Sequence, residues 1–271
     1  MKRADLHRQR VALAYQPPYD WSAMHDFLSA RCVDGLEWTE GNTYGRTFRY
    51  KGARGAFSAA HVADAHRFDV DVQIDDTSVL PAVVRNIRRI FDLDADQEAI
   101  RAALRRALGD DFPLHADVRL PGIWDLYEAG IRAILGQQIS VKAAHRYCGQ
   151  LVEALGEPLE DRRLFPTPDA VAQSDLAFFR MPGAKKDTLR RFSEYMADDV
   201  NDHRPQAWIQ LKGIGPWTVQ YARMRGKSDP DIYLVGDLGV IKMREKLSGR
   251  FSPRYALPWR SYLTIHLWKQ L

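Results

Sequence analysis

Residues 207–218 read Ala-Trp-Ile-Gln-Leu-Lys-Gly-Ile-Gly-Pro-Trp-Thr, and no other stretch of the chain is as informative. The apolar residues before the first glycine predict the end of one helix. Gly213 and Gly215 permit a tight turn, and Pro216 suits the first turn of the next helix. Such a turn presents unpaired N–H groups and a favourable dipole to an anion such as a phosphate. An ordinary turn between two helices has the same pattern, so this stretch alone leaves both interpretations open.

A second motif follows about twenty residues later, where residues 235–242 read Val-Gly-Asp-Leu-Gly-Val-Ile-Lys. Asp237 precedes a helix predicted over 238–247, and this position predicts an N-cap that accepts a backbone N–H. A carboxylate beside a sugar could also stabilise the cationic character that develops when an N-glycosidic bond breaks. The residues alone permit both roles.

The two motifs together resemble the helix–hairpin–helix and Gly/Pro-Asp signature of the endonuclease-III-like DNA glycosylases. Four further segments resemble the DNA-3-methyladenine glycosylase II branch of that superfamily, in the same order: 16–21 (Gln-Pro-Pro-Tyr-Asp-Trp), 119–122 (Arg-Leu-Pro-Gly), 132–137 (Arg-Ala-Ile-Leu-Gly-Gln) and 258–262 (Pro-Trp-Arg-Ser-Tyr). The likeness covers nearly the whole chain after the first dozen residues. It implies an enzyme of base excision repair that acts on alkylated purines in double-stranded DNA.

The resemblance assigns catalysis to Asp237, which would stabilise positive charge at C1′ and orient or deprotonate the attacking water. Superfamily members that also nick the strand have a lysine where this chain has Trp217, and that amine forms a Schiff base with the sugar. A tryptophan cannot do so. The resemblance therefore implies a monofunctional glycosylase that leaves an intact abasic site.

The resemblance also implies an aromatic base pocket lined or approached by Trp217, Tyr221, Trp268 and Phe27. Aromatic faces attract a cationic alkylpurine by about 0.5–2 kcal/mol for each cation–π contact. Trp217 and Tyr221 lie four residues apart and therefore share one helix face. Ordinary core packing is the alternative for each ring, and for Phe27 it explains the residue equally well.

The predicted DNA contacts lie on two segments. The hairpin would contribute Lys212, Gly213, Ile214, Gly215 and Thr218. Gln138, between two predicted helices, stands where the best-known members of the branch carry an intercalating leucine. The resemblance implies a monovalent cation between the hairpin carbonyls and a DNA phosphate. No other cofactor is expected, because the histidines show no paired metal-ligand spacing.

The pattern of the whole chain predicts an α+β fold with a boundary near residue 92. Residues 46–50 and 68–74 alternate polar and apolar, which is typical of strands in an antiparallel sheet. From Ser78, a predicted helix cap, apolar residues recur at intervals of three and four. Residues 1–92 would form a mixed α/β domain and 93–271 a helical domain. The predicted helices are 22–31, one from residue 78, 123–135, 141–155, 186–195 and 254–268.

Composition is compatible with this interpretation but does not establish it. The 271 residues carry a net charge of +4, and many enzymes are mildly basic. Two cysteines exclude a disulfide scaffold and a four-cysteine metal site. No apolar run approaches the roughly 20 residues of a membrane span, and residues 1–10 are too polar for a signal peptide. We expect a cytoplasmic, nucleoid-associated monomer with double-stranded DNA as its partner.

Three alternatives remain open from the sequence. The first is a non-catalytic hairpin module that only binds DNA, against which Asp237 argues. The second is a glycosylase for oxidised or deaminated bases, since the aromatic pocket favours alkylated purines only moderately. The third is a hydrolase of free nucleosides, which would not need a phosphate-binding hairpin.

Overall fold

The computed structural model describes residues 6–110, 112–114, 118–201, 203–247 and 251–270. It begins with a five-stranded antiparallel sheet in the order β1-β5-β4-β3-β2. The strands are β1 His7–Ala14, β2 Glu37–Glu40, β3 Thr43–Tyr50, β4 Ala53–Val62 and β5 Arg67–Ile74. Alternate residues of β5, from Phe68 to Ile74, are fully buried, because one face of the sheet packs against helices. The predicted α+β fold is confirmed.

Two helices cover the buried face of this sheet. Helix α1 spans Trp21–Ser29 and begins where the Asp20 side chain accepts a hydrogen bond from the backbone N–H of Ala23. Helix α2 spans Leu80–Ile90. The prediction that Ser78 caps α2 is wrong. Asp76 instead accepts from the Ser78 N–H and starts a short 3-10 turn, after which α2 begins.

The rest of the chain is mainly helical. Its helices are α3 Gln97–Leu108, α4 Leu126–Gly136, α5 Val141–Leu155, α6 Pro168–Ala172, α7 Gly183–Ala197, α8 Pro216–Gly226, α9 Leu238–Lys246 and α10 Arg260–Lys269. A two-stranded hairpin, β6 Pro158–Leu159 with β7 Arg162–Arg163, follows α5.

Several predicted helix starts differ from the structure; α7, for example, begins at Gly183 rather than at residue 186. Two of the differences have a clear local cause. Helix α4 begins at Leu126 rather than at residue 123, because the Asp125 side chain caps it by accepting from the Glu128 N–H. The helix predicted over 254–268 is divided into a 3-10 turn, Pro253–Ala256, and α10. Pro258 lies in the gap, where its missing N–H cannot continue a helix.

Three hydrophobic clusters form the core. The first joins the sheet to α1 and α2 and also takes in Trp124, from beyond the predicted domain boundary. The second lies around α4, α5 and α7, and the third around α3, α9 and α10. Tyr221 on α8 packs against both the second and the third. Helix α8 therefore lies where the two helical clusters meet.

A buried ion network fixes the sheet against α4. Arg46 on β3 pairs with Glu128 on α4 at 2.6 Å, and Arg132 on α4 pairs with Glu37 on β2 at 2.9 Å. Arg132 also pairs with Glu128 at 2.6 Å, one helical turn away. All four side chains are at most 10% exposed. Removing one partner would leave a buried charge uncompensated, so the network holds these elements in one arrangement.

Asp92 makes a second connection, between the end of α2 and α10. Its carboxyl group accepts hydrogen bonds from the Leu120 N–H at 2.8 Å and from the Tyr262 hydroxyl at 2.9 Å. Burial raises the pKa of Asp92 to about 7. Because the folded protein binds this proton more tightly than the unfolded chain, Asp92 makes the folded state less stable as pH rises from about 4 to about 7.

We therefore predict that, between pH 4 and pH 7, the free energy of unfolding falls less in Asp92→Asn than in the wild type. The amide keeps an acceptor for Leu120 and Tyr262 and removes the buried ionisation. Urea denaturation at a series of pH values measures the effect. An unchanged pH dependence would show that Asp92 is ionised equally easily in both states.

Candidate active site

Asp237 is the N-cap of α9, as the sequence predicts. Its Oδ1 accepts hydrogen bonds from the backbone N–H groups of Gly239 at 2.9 Å and Val240 at 3.2 Å. These bonds fix the carboxylate at the start of the helix. The side chain is only half-buried, so a substrate could reach it.

Two indole rings also donate to this carboxylate. Trp217 Nε1 donates to Oδ2 at 3.1 Å, and Trp268 Nε1 donates to Oδ1 at 2.9 Å. The donors come from α8 and α10, so three helices converge on Asp237. Counting donors among the described residues, Oδ1 accepts three hydrogen bonds and Oδ2 accepts one, and a carboxylate oxygen offers about two acceptor positions. Oδ2 is therefore the oxygen with an acceptor position open to substrate or water.

Three of the four predicted base-pocket residues lie together at this carboxylate. The Trp217 and Tyr221 rings stack with centroids 5.1 Å apart and an interplanar angle of 25°. Trp217, Tyr221 and Trp268 are all half-buried. Together they form an aromatic wall beside an acid, which suits a flat base attached to a sugar.

Phe27, the fourth predicted pocket residue, lies on α1 and has two guanidinium groups over its ring. The Arg31 Cζ atom lies 3.7 Å from the ring centroid and the Arg225 Cζ atom 4.7 Å from it. Arg225 also donates to the Tyr221 hydroxyl at 3.4 Å. Phe27 is thus connected to the aromatic wall through Arg225. No sequence motif assigns either arginine to the site, although Arg225 lies one helical turn from Tyr221.

The hairpin has a shorter first helix than predicted. In place of a full helix ending near residue 211, the structure has a 3-10 helix, Pro205–Gln210. Gly213 has a φ of +95°, and a Cβ atom there would lie 2.1 Å from Thr188 Oγ1. At Gly215, which precedes α8, a Cβ would meet nothing within 4 Å. No side chain of the described residues caps α8, so its first N–H groups have no side-chain acceptor among them.

The other predicted hairpin contacts differ in accessibility. Lys212 is exposed, and its carbonyl accepts from Arg191 Nη1 at 2.9 Å. Ile214 is 6% exposed and packs in the second core cluster, and its N–H donates to Leu211 O at 3.0 Å, so its side chain belongs to the core. Thr218 is 1% exposed, and its hydroxyl accepts from Gln137 Nε2 at 3.0 Å. Its side chain therefore acts inside the protein.

Gln138 is exposed between α4 and α5, in the left-handed region with a φ of +60°. Its neighbour Gln137 ties this segment to the hairpin, because the side-chain amide donates to both Gly213 O and Thr218 Oγ1 at 3.0 Å. Lys185 Nζ donates to Gln137 O at 2.8 Å from α7. Sequence reasoning missed both supporting residues, since neither hydrogen bond has a local sequence signal.

The hairpin carbonyls are compatible with the implied monovalent cation. Gly213 O accepts one hydrogen bond, and a carbonyl oxygen has two lone pairs, so one stays available. Within the ranges that the structure describes, no group of three or more His, Cys, Asp or Glu side chains could hold a metal ion. No helix in those ranges is long and apolar enough to cross a membrane.

The sequence is similar to known proteins over nearly its full length. The AlkA N-terminal domain family matches residues 10–125. DNA-3-methyladenine glycosylase 2 of Escherichia coli is 32% identical over 94% of this chain and 95% of its own length. This chain belongs to the DNA-3-methyladenine glycosylase family. A Mycobacterium tuberculosis relative, named as a probable bifunctional transcriptional activator/DNA repair enzyme AlkA, is 34% identical over 96% of this chain, which spans only 57% of that relative's length.

Two solved structures have the same fold as this chain. A 3-methyladenine DNA glycosylase of Archaeoglobus fulgidus superimposes with a TM-score of 0.76 at 17% identity, over 96% of this chain and 97% of that one. An 8-oxoguanine glycosylase/lyase of Clostridium acetobutylicum, in complex with double-stranded DNA, gives 0.70 at 15% identity over 100% and 98%. At these identities the two structures establish the architecture.

The two hairpin glycines should respond differently to the same substitution by alanine. Gly213→Ala should lower the melting temperature, because the new Cβ meets Thr188 and the φ of +95° disfavours a side chain. Gly215→Ala should lower it by no more than about two or three degrees, since its Cβ meets nothing within 4 Å and the cost is limited to replacing a glycine at the N-cap of α8. Thermal denaturation followed by circular dichroism compares them, and equal effects would contradict the described turn.

Proposed function

We propose that this protein is a monofunctional DNA glycosylase that excises alkylated purines, of the 3-methyladenine type, from double-stranded DNA in base excision repair. The supporting observation is the placement of Asp237. A carboxylate held by two backbone N–H groups and two indoles opens onto an aromatic wall. Full-length similarity to DNA-3-methyladenine glycosylase 2 supports the same conclusion.

In the proposed reaction, Asp237 acts on the sugar. As the N-glycosidic bond breaks, C1′ gains positive charge, and a fixed carboxylate stabilises that charge without having to reorganise. Oδ2, to which Trp217 is the one donor in the part of the chain that the structure describes, can also accept a hydrogen bond from the attacking water and orient it. The indole bonds keep the carboxylate in place while the sugar changes charge.

The aromatic wall would receive the flipped base. Trp217 and Tyr221 already stack on each other, so their orientation is fixed before a base arrives. An alkylated purine is cationic and leaves readily as a neutral base. Contact with aromatic faces would favour such a base over its undamaged, neutral counterpart.

The hairpin and the loop around Gln138 would hold the DNA. The open N–H groups at the start of α8, beside Gly215, suit a phosphate, and a monovalent cation at the Gly213 carbonyl would add positive charge there. Gln138 would fill the gap left by the flipped base, with the exposed side chains of Ile139 and Val141 next to it. The hydrogen bonds of Gln137 would keep wedge and hairpin at a constant separation.

We predict that Asp237→Asn slows base release by at least about 100-fold and leaves DNA affinity within a few-fold of wild type, because the amide fits the same site but lacks the charge. Single-turnover excision from 3-methyladenine duplexes, with binding measured in parallel, tests this. Asp69→Asn, at an exposed aspartate of β5, is the matched control. Near-normal turnover in Asp237→Asn would refute the proposed mechanism.

The absence of lyase activity is a separate prediction. Trp217 occupies the start of α8 and donates to Asp237, and an indole cannot form a Schiff base. Borohydride reduction during turnover should therefore trap no covalent protein–DNA complex, and the abasic strand should stay intact in a denaturing gel. A trapped complex would show that another amine attacks the sugar.

For the wedge, we predict that Gln138→Ala slows excision from duplex DNA about tenfold or more, but changes excision from single strands little. Only the duplex contains a gap to fill and a partner base to occupy. Gln173→Ala, at the C-terminal end of α6, controls for loss of an amide elsewhere. Equal losses on both substrates would contradict the wedge role.

A further inference from the structure

Helix α8 carries three site residues in one stripe. Trp217, Tyr221 and Arg225 are spaced four residues apart and therefore lie on the same face. Trp217 contacts Asp237, Tyr221 stacks on Trp217, and Arg225 donates to the Tyr221 hydroxyl. The stripe runs about 12 Å along the helix. A base whose sugar lies at Asp237 would extend along the aromatic wall toward Arg225.

Arg225 is a buried cation that forms no ion pair with the described part of the chain. Its side chain is 3% exposed, and it donates to Pro121 O and the Tyr221 hydroxyl. Its Nη2 makes no hydrogen bond to the residues that the structure describes, and no carboxylate of those residues lies within ion-pairing distance. Buried charges of this kind normally have a partner.

Arg31 brings a second guanidinium to the same place. It lies over Phe27, as Arg225 does, and its one hydrogen bond to the described residues goes from Nη1 to Phe27 O at 3.4 Å. Burial and the nearby Arg225 lower the pKa of Arg31 to about 10, so it keeps its charge at neutral pH. Two positive groups with spare donors thus lie together at Phe27, at the Arg225 end of the α8 stripe.

We infer, on the basis of the proposed function, that Arg31 and Arg225 are specificity-determining residues that favour damaged bases with an exocyclic oxygen. A guanidinium has only donors, so it pairs with a carbonyl oxygen and not with an exocyclic amino group. Two uncompensated cations also oppose the positive charge of an alkylated base. The exocyclic oxygen of a 6-oxopurine accepts a hydrogen bond that offsets this repulsion, whereas the exocyclic amino group of an alkylated adenine accepts none.

The test uses three duplexes and the less buried of the two arginines. The lesions are 7-methylguanine, which is cationic with an exocyclic oxygen, hypoxanthine, which is neutral with that oxygen, and 3-methyladenine, which is cationic without it. Single-turnover release is compared for wild type, Arg31→Met and Arg31→Lys. Arg10→Met removes one exposed positive charge from β1 and controls for net charge.

Arg31→Met should slow release of both oxopurines by about tenfold relative to 3-methyladenine, whose release should stay equal or rise. Arg31→Lys should release the two oxopurines faster than Arg31→Met does, because lysine keeps the positive charge but lacks the planar guanidinium group. Arg10→Met should change none of the ratios. An equal loss on all three lesions, or a selective loss on 3-methyladenine, would overturn this inference alone. A wild-type protein that released none of the three bases would overturn the proposed function itself.

Discussion

The whole site depends on how the Asp237 carboxylate is held. Two backbone N–H groups of α9 and the indole nitrogens of Trp217 and Trp268 donate to it, so three helices meet at two oxygen atoms. Any shift of α8 or α10 would lengthen one of these bonds. The same indoles that fix the acid also form part of the aromatic wall, so acid and wall cannot move independently.

This convergence needs a rigid frame, and the N-terminal sheet supplies part of it. The buried network of Arg46, Glu37, Glu128 and Arg132 ties the sheet to α4. Helix α4 ends at the loop of Gln138, and Gln137 joins that loop to the hairpin. The parts that would contact DNA therefore form one connected body with the sheet, although they come from distant segments of the chain.

The site is electrostatically asymmetric. A carboxylate lies at one end of the α8 stripe, and two guanidinium groups without ion-pair partners in the described ranges lie at the other. An aromatic wall alone would accept any flat cation. In the proposed reaction the charges at the two ends would act on different parts of a nucleotide, the acid on the sugar and the arginines on the edge of the base.

The sequence by itself determined the local features of this protein. Asp237 as an N-cap and the shared face of Trp217 and Tyr221 both follow from interactions within a few residues. Only the tertiary structure decided which distant groups meet. Trp268 reaches Asp237 across 31 positions, and Arg31 meets Arg225 over Phe27 across nearly two hundred. Periodicity and capping reveal which way a side chain faces on its own helix, whereas its partner depends on how helices pack, and no local pattern encodes that.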